Sequence, residues 1–187
     1  MRLLLLLDRL AFWLFFAGHY RRKFGAYGRN VRWGAHGHRL VIPRSVRISC
    51  PEKIFIGNNC QIDEGVYLQC HSEGEGIQIG DGSRINAHTH VLAFSRITLG
   101  NDVLIAPFSL LASGDHGHAR ADRAVMHQPY ERSGPIVVGD GAWIGHGAKL
   151  LGGATIGRCS VVGAGAVVKG QFGDHSLLLG VPARCRR

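Results

Sequence analysis

An aliphatic residue stands at every sixth position from Val138 onward: Val138, Ile144, Leu150, Ile156, Val162 and Val168. A helix would space its apolar residues three or four apart, and a flat strand would alternate them every two. A period of six predicts a strand that bends at regular intervals and points one core residue inward from each flat face. The same spacing runs upstream through Ile56, Ile62 and Leu68, then Ile79, Ile85, Val91 and Ile97, then Leu99, Ile105 and Leu111. The residue four after each anchor is mostly small: Cys60, Val66, Ser72, Ser83, Thr89, Ser95, Val103, Ser109, Ala142, Ala148, Ala154, Ser160 and Ala166. Large anchors alternating with small partners fill a narrow prism without overpacking. Gly often follows the anchor (57, 80, 100, 139, 145, 157, 163), and Asn or Asp often comes next (Asn58, Asp81, Asn101, Asp140). These residue types tolerate positive φ, so the sharp corners are expected there. Three such units make one turn of a triangular coil, each turn burying the face of the next. An ordinary β-sandwich would not hold this register from residue 56 to residue 168.

Four segments carry a resemblance. IleThrLeuGlyAsnAspValLeuIleAlaPro (97–107), ValGlyAspGlyAlaTrpIleGlyHisGlyAlaLysLeu (138–150), IleGlyArgCysSerValValGlyAlaGlyAlaValVal (156–168) and LeuGlyValProAlaArg (179–184) resemble the hexapeptide-repeat acyltransferases. The likeness covers roughly residues 45 to 187 and is nearest the sugar O-acetyltransferase branch: galactoside and maltose acetyltransferases, and those of surface polysaccharides. It implies an all-β, left-handed parallel β-helix, a homotrimer with active sites between subunits, and acetyl-CoA as donor. The expected organisation is an apolar N-terminal helix at 1–24, a connection or irregular first coil at 25–45, the coil at 46–170, and a basic tail at 171–187.

Composition narrows this further. Gly supplies 27 of 187 residues, which suits many corners and argues against a helical bundle. Five cysteines, at 50, 60, 70, 159 and 185, form no CxxC pair and are odd in number. They read as reduced packing residues of a cytoplasmic protein. The formal charge is +9. No aromatic–basic motif of the base-reading kind accompanies it, so no nucleic-acid partner is expected, whereas the CoA polyanion would suit a basic groove.

Residues 1–23 are strongly apolar but interrupted by Asp8 and Arg9. A spanning helix needs about 20 apolar residues, and a signal peptide would not carry an acid inside its apolar core. Two readings stay open: an interfacial helix, with Trp13 and Phe16 in lipid and Arg21–Lys23 at the headgroups, or a cap on the coil. The first implies a peripheral place on the inner membrane face.

Between Leu111 and Val138 the register breaks for one long excursion, 112–135. Loops this long inside a compact fold are usually functional or disordered. It contains Asp115, His116 and His118. The resemblance places the catalytic His at His116, with His118 as the alternative. A sugar hydroxyl is a poor nucleophile, and a neutral imidazole can take its proton as it attacks a thioester. A backbone N–H at a corner would then receive the oxyanion. By the same resemblance Asn86 positions the acceptor; Asp115 and His118 are expected on the acceptor side as well, Asp115 either orienting a His or capping the turn. Ala142, Trp143, Gly163 and Ala164 would lie along the pantetheine arm, and Lys169, Arg184 and Arg187 would reach the CoA phosphates. Lys169-Gly170 stands where the family has Thr-Lys, one residue out of step. Trp143 reads equally as a trimer-packing residue.

Two other functions fit a β-helix. His88, His90, His116 and His118 are the ligand types of a γ-carbonic anhydrase-like zinc lyase; against it, that family's run of ligands is absent and the loop spacing is that of an acyltransferase. A trimer without a base would be a scaffold, which His116 argues against. The reading carried forward is an acetyl-CoA-dependent sugar O-acetyltransferase of O-antigen, capsule or exopolysaccharide biosynthesis, acting on a free or lipid-linked sugar and requiring no metal.

Overall fold

Each six-residue unit forms a short strand and a corner, and three units close one turn. The computed structural model describes residues 35–186, with side chains from residue 37. The expected helix at 1–24 and Arg187 lie outside the described residues.

The strands stack into three parallel sheets that enclose one core. The first sheet runs through Ala35–His36, Ile54–Ile56, Ile77–Ile79, Ile97–Leu99, Ile136–Val138, Thr155–Ile156 and Gln171–Phe172. The second runs through Gln61–Ile62, Arg84–Ile85, Leu104–Ile105, Trp143–Ile144, Val161–Val162 and Leu177–Leu179. The third runs through Arg47–Ser49, Tyr67–Cys70, His90–Ala93, Leu110–Ala112, Lys149–Leu151 and Val167–Val168. Register is kept residue for residue: Ile85, Ile105, Ile144 and Val162 stack in one file, and Leu68, Val91, Leu111, Leu150 and Val168 in another. These anchors are all at most 1% exposed.

The small partners face inward as expected, and their hydroxyls are satisfied by the neighbouring turn, as buried polar groups must be. Ser83 Oγ donates to the Gly100 carbonyl (2.9 Å), Thr89 Oγ1 to Ala106 (3.2 Å) and Ser109 Oγ to Gly145 (3.1 Å). Ser72 departs from the pattern: it is exposed, and Cys70 takes the inward place in a four-residue strand, because the chain leaves the hexad at residue 71.

The left-handed backbone falls later in the repeat than expected. It occurs at the third residue after the anchor, as at Gly82 (φ 70°), Gly141 (67°), Asn59 (57°) and Asp102 (55°). The Gly directly after the anchor serves a different purpose. A Cβ on Gly139 would sit 2.8 Å from the Arg158 amide nitrogen, and one on Gly80 2.5 Å from the Gly100 carbonyl carbon. The Asn or Asp that follows is a ladder acceptor. Asn58 N–H donates to Asp81 Oδ1 (2.7 Å), Asp81 N–H to Asn101 Oδ1 (2.9 Å) and Asn101 N–H to Asp140 Oδ1 (2.8 Å).

The coil also exceeds the span expected for it. Gln171–Phe172 and Leu177–Leu179, assigned by sequence to the tail, extend the first and second sheets in parallel register. Leu178, six residues past Phe172, is fully buried. Arg184–Cys185 then turns back antiparallel on Leu178 and Leu179, which ends the ladder. At the other end, Ala35–His36 and a bridge from Val41 to Gln61 place part of 25–45 in the coil. Cys60 and Cys70 are buried, whereas Cys159 and Cys185 are exposed and so are not packing residues; all five are reduced. Burial raises the thiol of Cys60 and pushes that of Cys70 up to about 11. No helix among the described residues is long and apolar enough to cross a membrane.

Candidate active site

The excursion expected at 112–135 leaves the coil where the third sheet turns into the first, and a buried serine roots it. Ser113 is fully buried. Its Oγ accepts from the Phe94 amide (3.0 Å) and donates to the Ser95 carbonyl (2.6 Å), while its own carbonyl accepts from Ser133 N–H (3.1 Å). The start of the excursion is thereby fixed to the preceding turn, and its end is fixed to its start.

Beyond this root the chain forms a hairpin. Gly114–His116 pairs antiparallel with Tyr130–Arg132, with His116 directly opposite Tyr130 and Gly114 opposite Arg132. Gly114 is required by contact, since a Cβ there would lie 2.4 Å from Phe94 Cβ. The outer part of the loop is organised by Gln128, only 7% exposed. Its Oε1 accepts from Arg120 N–H (3.1 Å), and its Nε2 donates to the carbonyls of Arg120 (2.9 Å) and Arg123 (2.9 Å). The exposed Arg120–Asp122 pair (2.7 Å) holds the Asp122 carboxyl below its ordinary value.

A cleft of about 450 Å³ opens between this hairpin and the outer face of the third sheet. Gln69, Leu92, Ala112 and Leu151 line its floor, Phe94 and Tyr130 form an aromatic wall, and His116, Ser133 and Lys169 complete it. The His116 and Tyr130 rings lie 4.3 Å apart between centroids, tilted by 43°. His116 Nδ1 is buried and has no hydrogen-bond partner among the described residues. Of the two histidines offered by sequence, only His116 lines this cleft. His118 is exposed and turns its Nδ1 back toward the His116 carbonyl (3.3 Å). Asp115 lines the cleft but caps the backbone, its Oδ1 accepting from the His116 amide (2.9 Å).

The remaining expected site residues are dispersed. Asn86 is half-buried at the corner between the second and third sheets and does not line the cleft. Trp143 is 49% exposed on the outer face of the second sheet, between Leu104 and Val161. Arg184 is exposed on the same sheet, opposite Leu179. Ala142 is fully buried, so its side chain belongs to the core. Gly163 is overlain by Leu179, whose Cδ2 would lie 2.4 Å from a Cβ there. Ala164 is exposed at that corner. Lys169, expected beside the donor residues, instead faces the His116 cleft, because Val167–Val168 is the last strand of the third sheet. His88, His90, His116 and His118 do not converge: among the described residues no group of three or more His, Cys, Asp or Glu is placed to hold a metal ion.

Sequence reasoning missed Ser113, Phe94, Gln128 and Tyr130. Only the break in the hexad at residue 112 marked the neighbourhood.

Residues 135–170 match the family described as bacterial transferase hexapeptide (six repeats). WbbJ of Escherichia coli, named for O-acetyl transfer in lipopolysaccharide biosynthesis, is 30% identical over 154 residues, 75% of this chain and 76% of that protein. The galactoside O-acetyltransferase of Escherichia coli is 31% identical over 159 residues, 81% of this chain and 72% of that protein. Among solved structures, AntD, an N-acyltransferase from Bacillus cereus in complex with dTDP and 3-hydroxybutyryl-CoA, superposes with a TM-score of 0.72 at 21% identity, covering 83% of each chain. With its three parallel sheets, unbroken inward files and single long excursion, the chain belongs to the left-handed β-helix, hexapeptide-repeat family of acyltransferases.

Proposed function

We propose that the chain is an acetyl-CoA-dependent O-acetyltransferase of sugar hydroxyls, with His116 as general base, serving surface-polysaccharide biosynthesis. The observation that carries this is the His116 cleft: an imidazole beside an aromatic wall in a concave site. A pyranose presents an apolar C–H face that suits Phe94 and Tyr130, while its hydroxyls suit Gln69, Ser133 and Asp115. Nδ1 is buried, so the proton acceptor is Nε2, and base function there requires the ring proton on Nδ1. His116 removes the hydroxyl proton as the oxygen attacks the thioester carbonyl. The tetrahedral intermediate collapses, the thiolate leaves, and the proton held on His116 passes to it. Acetyl-CoA is the donor by kinship with proteins named acetyltransferases and by likeness to a fold solved with an acyl-CoA.

The site is completed in a homotrimer. Asn86 stands away from the cleft of its own chain, and Leu104, Phe108 and Trp143 are 38%, 60% and 49% exposed on the second sheet and the adjoining corner. Apolar area of this kind marks an interaction surface, and a second copy seated there brings Asn86 and Trp143 to its neighbour's cleft. In the interfacial reading of residues 1–23, which rests on the sequence alone, the apolar segment holds the protein at a membrane surface near a lipid-linked acceptor.

Thiol release from acetyl-CoA against free, nucleotide-linked and lipid-linked sugars tests the activity; acceptor-dependent release with an acetylated sugar product supports it, and silence with every acceptor contradicts it. The trimer is tested by refolding His116→Ala and Asn86→Ala chains together. Activity recovered in the mixture, and absent from either alone, places the site between subunits; no recovery places it within one chain.

A further inference from the structure

The hexad has a second interruption, shorter than the first. Between Cys70 and Ile77 the chain leaves register as His71–Ser72–Glu73–Gly74–Glu75–Gly76. This segment lies at the same corner as the catalytic excursion, two turns earlier, and the two segments touch. Arg132, on the return strand of the hairpin, pairs through Nη1 with Glu75 Oε1 (3.0 Å) and donates from Nη2 to the Glu73 carbonyl (2.6 Å). Glu75 is itself fixed, since its Oε2 accepts from the Arg96 amide (3.2 Å). The segment is held from the turn before it, where Lys53 Nζ donates to the carbonyls of Gly74 (3.0 Å) and Ser72. A second contact runs parallel to the first. The His71 ring stacks on Phe94 (5.1 Å, 22°), and Phe94 and His71 both pack on Tyr130 (5.1 and 5.6 Å).

Tyr130 and Arg132 are two residues apart on one strand, so their side chains leave it on the same side. Both meet the 71–76 segment, and Tyr130 carries His116 against its other neighbour. We propose that residues 71–76 are a built seat for the catalytic hairpin, and that Arg132 and Glu75 are positioning residues for His116. This rests on His116 as the base. The pair is exposed, at 53% and 43% of the two side chains. An exposed ion pair adds little to global stability, whereas a base displaced by an ångström loses much of its rate. The seat therefore governs turnover more than folding.

The test is Arg132→Gln, Glu75→Gln and the double variant in the full-length protein, with three readouts. Turnover should fall roughly tenfold in each single variant, with KM for acetyl-CoA within about twofold. The double variant should be no worse than Arg132→Gln, since the Arg132–Glu75 contact that Glu75→Gln removes is already lost in that single variant. Amide exchange should quicken in peptides covering 114–132 and stay unchanged across the coil strands, with the thermal midpoint barely moved. Arg132→Lys, which keeps the charge and loses the fork, should fall between wild type and Arg132→Gln. Unchanged turnover, additive losses, or exchange that rises throughout the coil would each overturn the seat. If wild type releases no thiol with any acceptor, the assignment of His116 fails instead, and exchange at 114–132 alone decides whether the seat exists.

Discussion

Two corners of the coil repeat with constant length, and the third does not. From the first sheet to the second the connections are 57–60, 80–83, 100–103, 139–142 and 157–160; from the second to the third they are 63–66, 86–89, 106–109, 145–148 and 163–166. From the third to the first they are 50–53, 71–76, 94–96, 113–135, 152–154 and 169–170. The first of these corners carries the acceptor ladder of Asn58, Asp81, Asn101 and Asp140, and a Cβ on the glycine directly after its anchor, as at Gly80, Gly100 or Gly139, would collide with the next turn. The variable corner carries Ser113, the hairpin, the aromatic wall and the seat. The aliphatic anchors stay buried behind all three, so one corner is released from register without loss of the fold. A rigid scaffold displaying one irregular edge is how loops come to hold chemistry.

This division can be broken by substitution. Ile144, fully buried behind a constant corner, should cost about 2–5 kcal/mol as Ile144→Ala. Chemical unfolding reads this, and turnover per folded molecule should be near wild type. A comparable loss of turnover in the folded fraction would mean that the constant corners also shape the site. Ser113→Ala should cost less, about 1–3 kcal/mol, because it leaves buried backbone groups of residues 94 and 95 unpaired. It should lower turnover as well, since the hairpin is rooted there; stability lost with turnover intact would contradict that link.

The smallest effect concerns the thiols. Burial holds Cys70 up to about 11, against 9.0 for a free thiol, so the folded chain favours the neutral form. That contribution is complete below the free-thiol value and is lost as pH rises through about 11. Urea unfolding across this window should show stability falling by on the order of 1 kcal/mol, with a shallower slope in Cys70→Ala. An unchanged slope in the variant would assign the alkaline loss to other groups. At neutral pH, exposed Cys159 and Cys185 should react with a thiol reagent before Cys60 and Cys70.

Much of this was legible in the sequence, and for one reason. A six-residue period has few structural solutions, so the anchors, their small partners and the long excursion could be named from spacing alone. His116 came from the family resemblance, whose spacing through Ile105, Pro107 and Leu111 this chain reproduces. Finer features were not. The left-handed corner lies three residues after the anchor, where glycine alternates with Asn59, His88 and Phe108, so composition pointed to the wrong residues. Ala142 and Trp143 are adjacent in sequence, but alternation sends one into the core and the other to solvent. Lys169 lies in the His116 cleft because of which sheet its strand joins, and Tyr130 stands opposite His116 because of a hairpin register that no periodicity encodes.

The most direct test of the account is thiol release from acetyl-CoA by His116→Ala and His118→Ala beside wild type, with any acceptor that wild type accepts. His116→Ala should lose roughly a hundredfold or more in turnover while still binding acetyl-CoA, as loss of a general base does, and His118→Ala should stay within about threefold of wild type. The reverse order, a severe loss at His118 and a mild one at His116, would contradict the assignment of the cleft and the reading built on it.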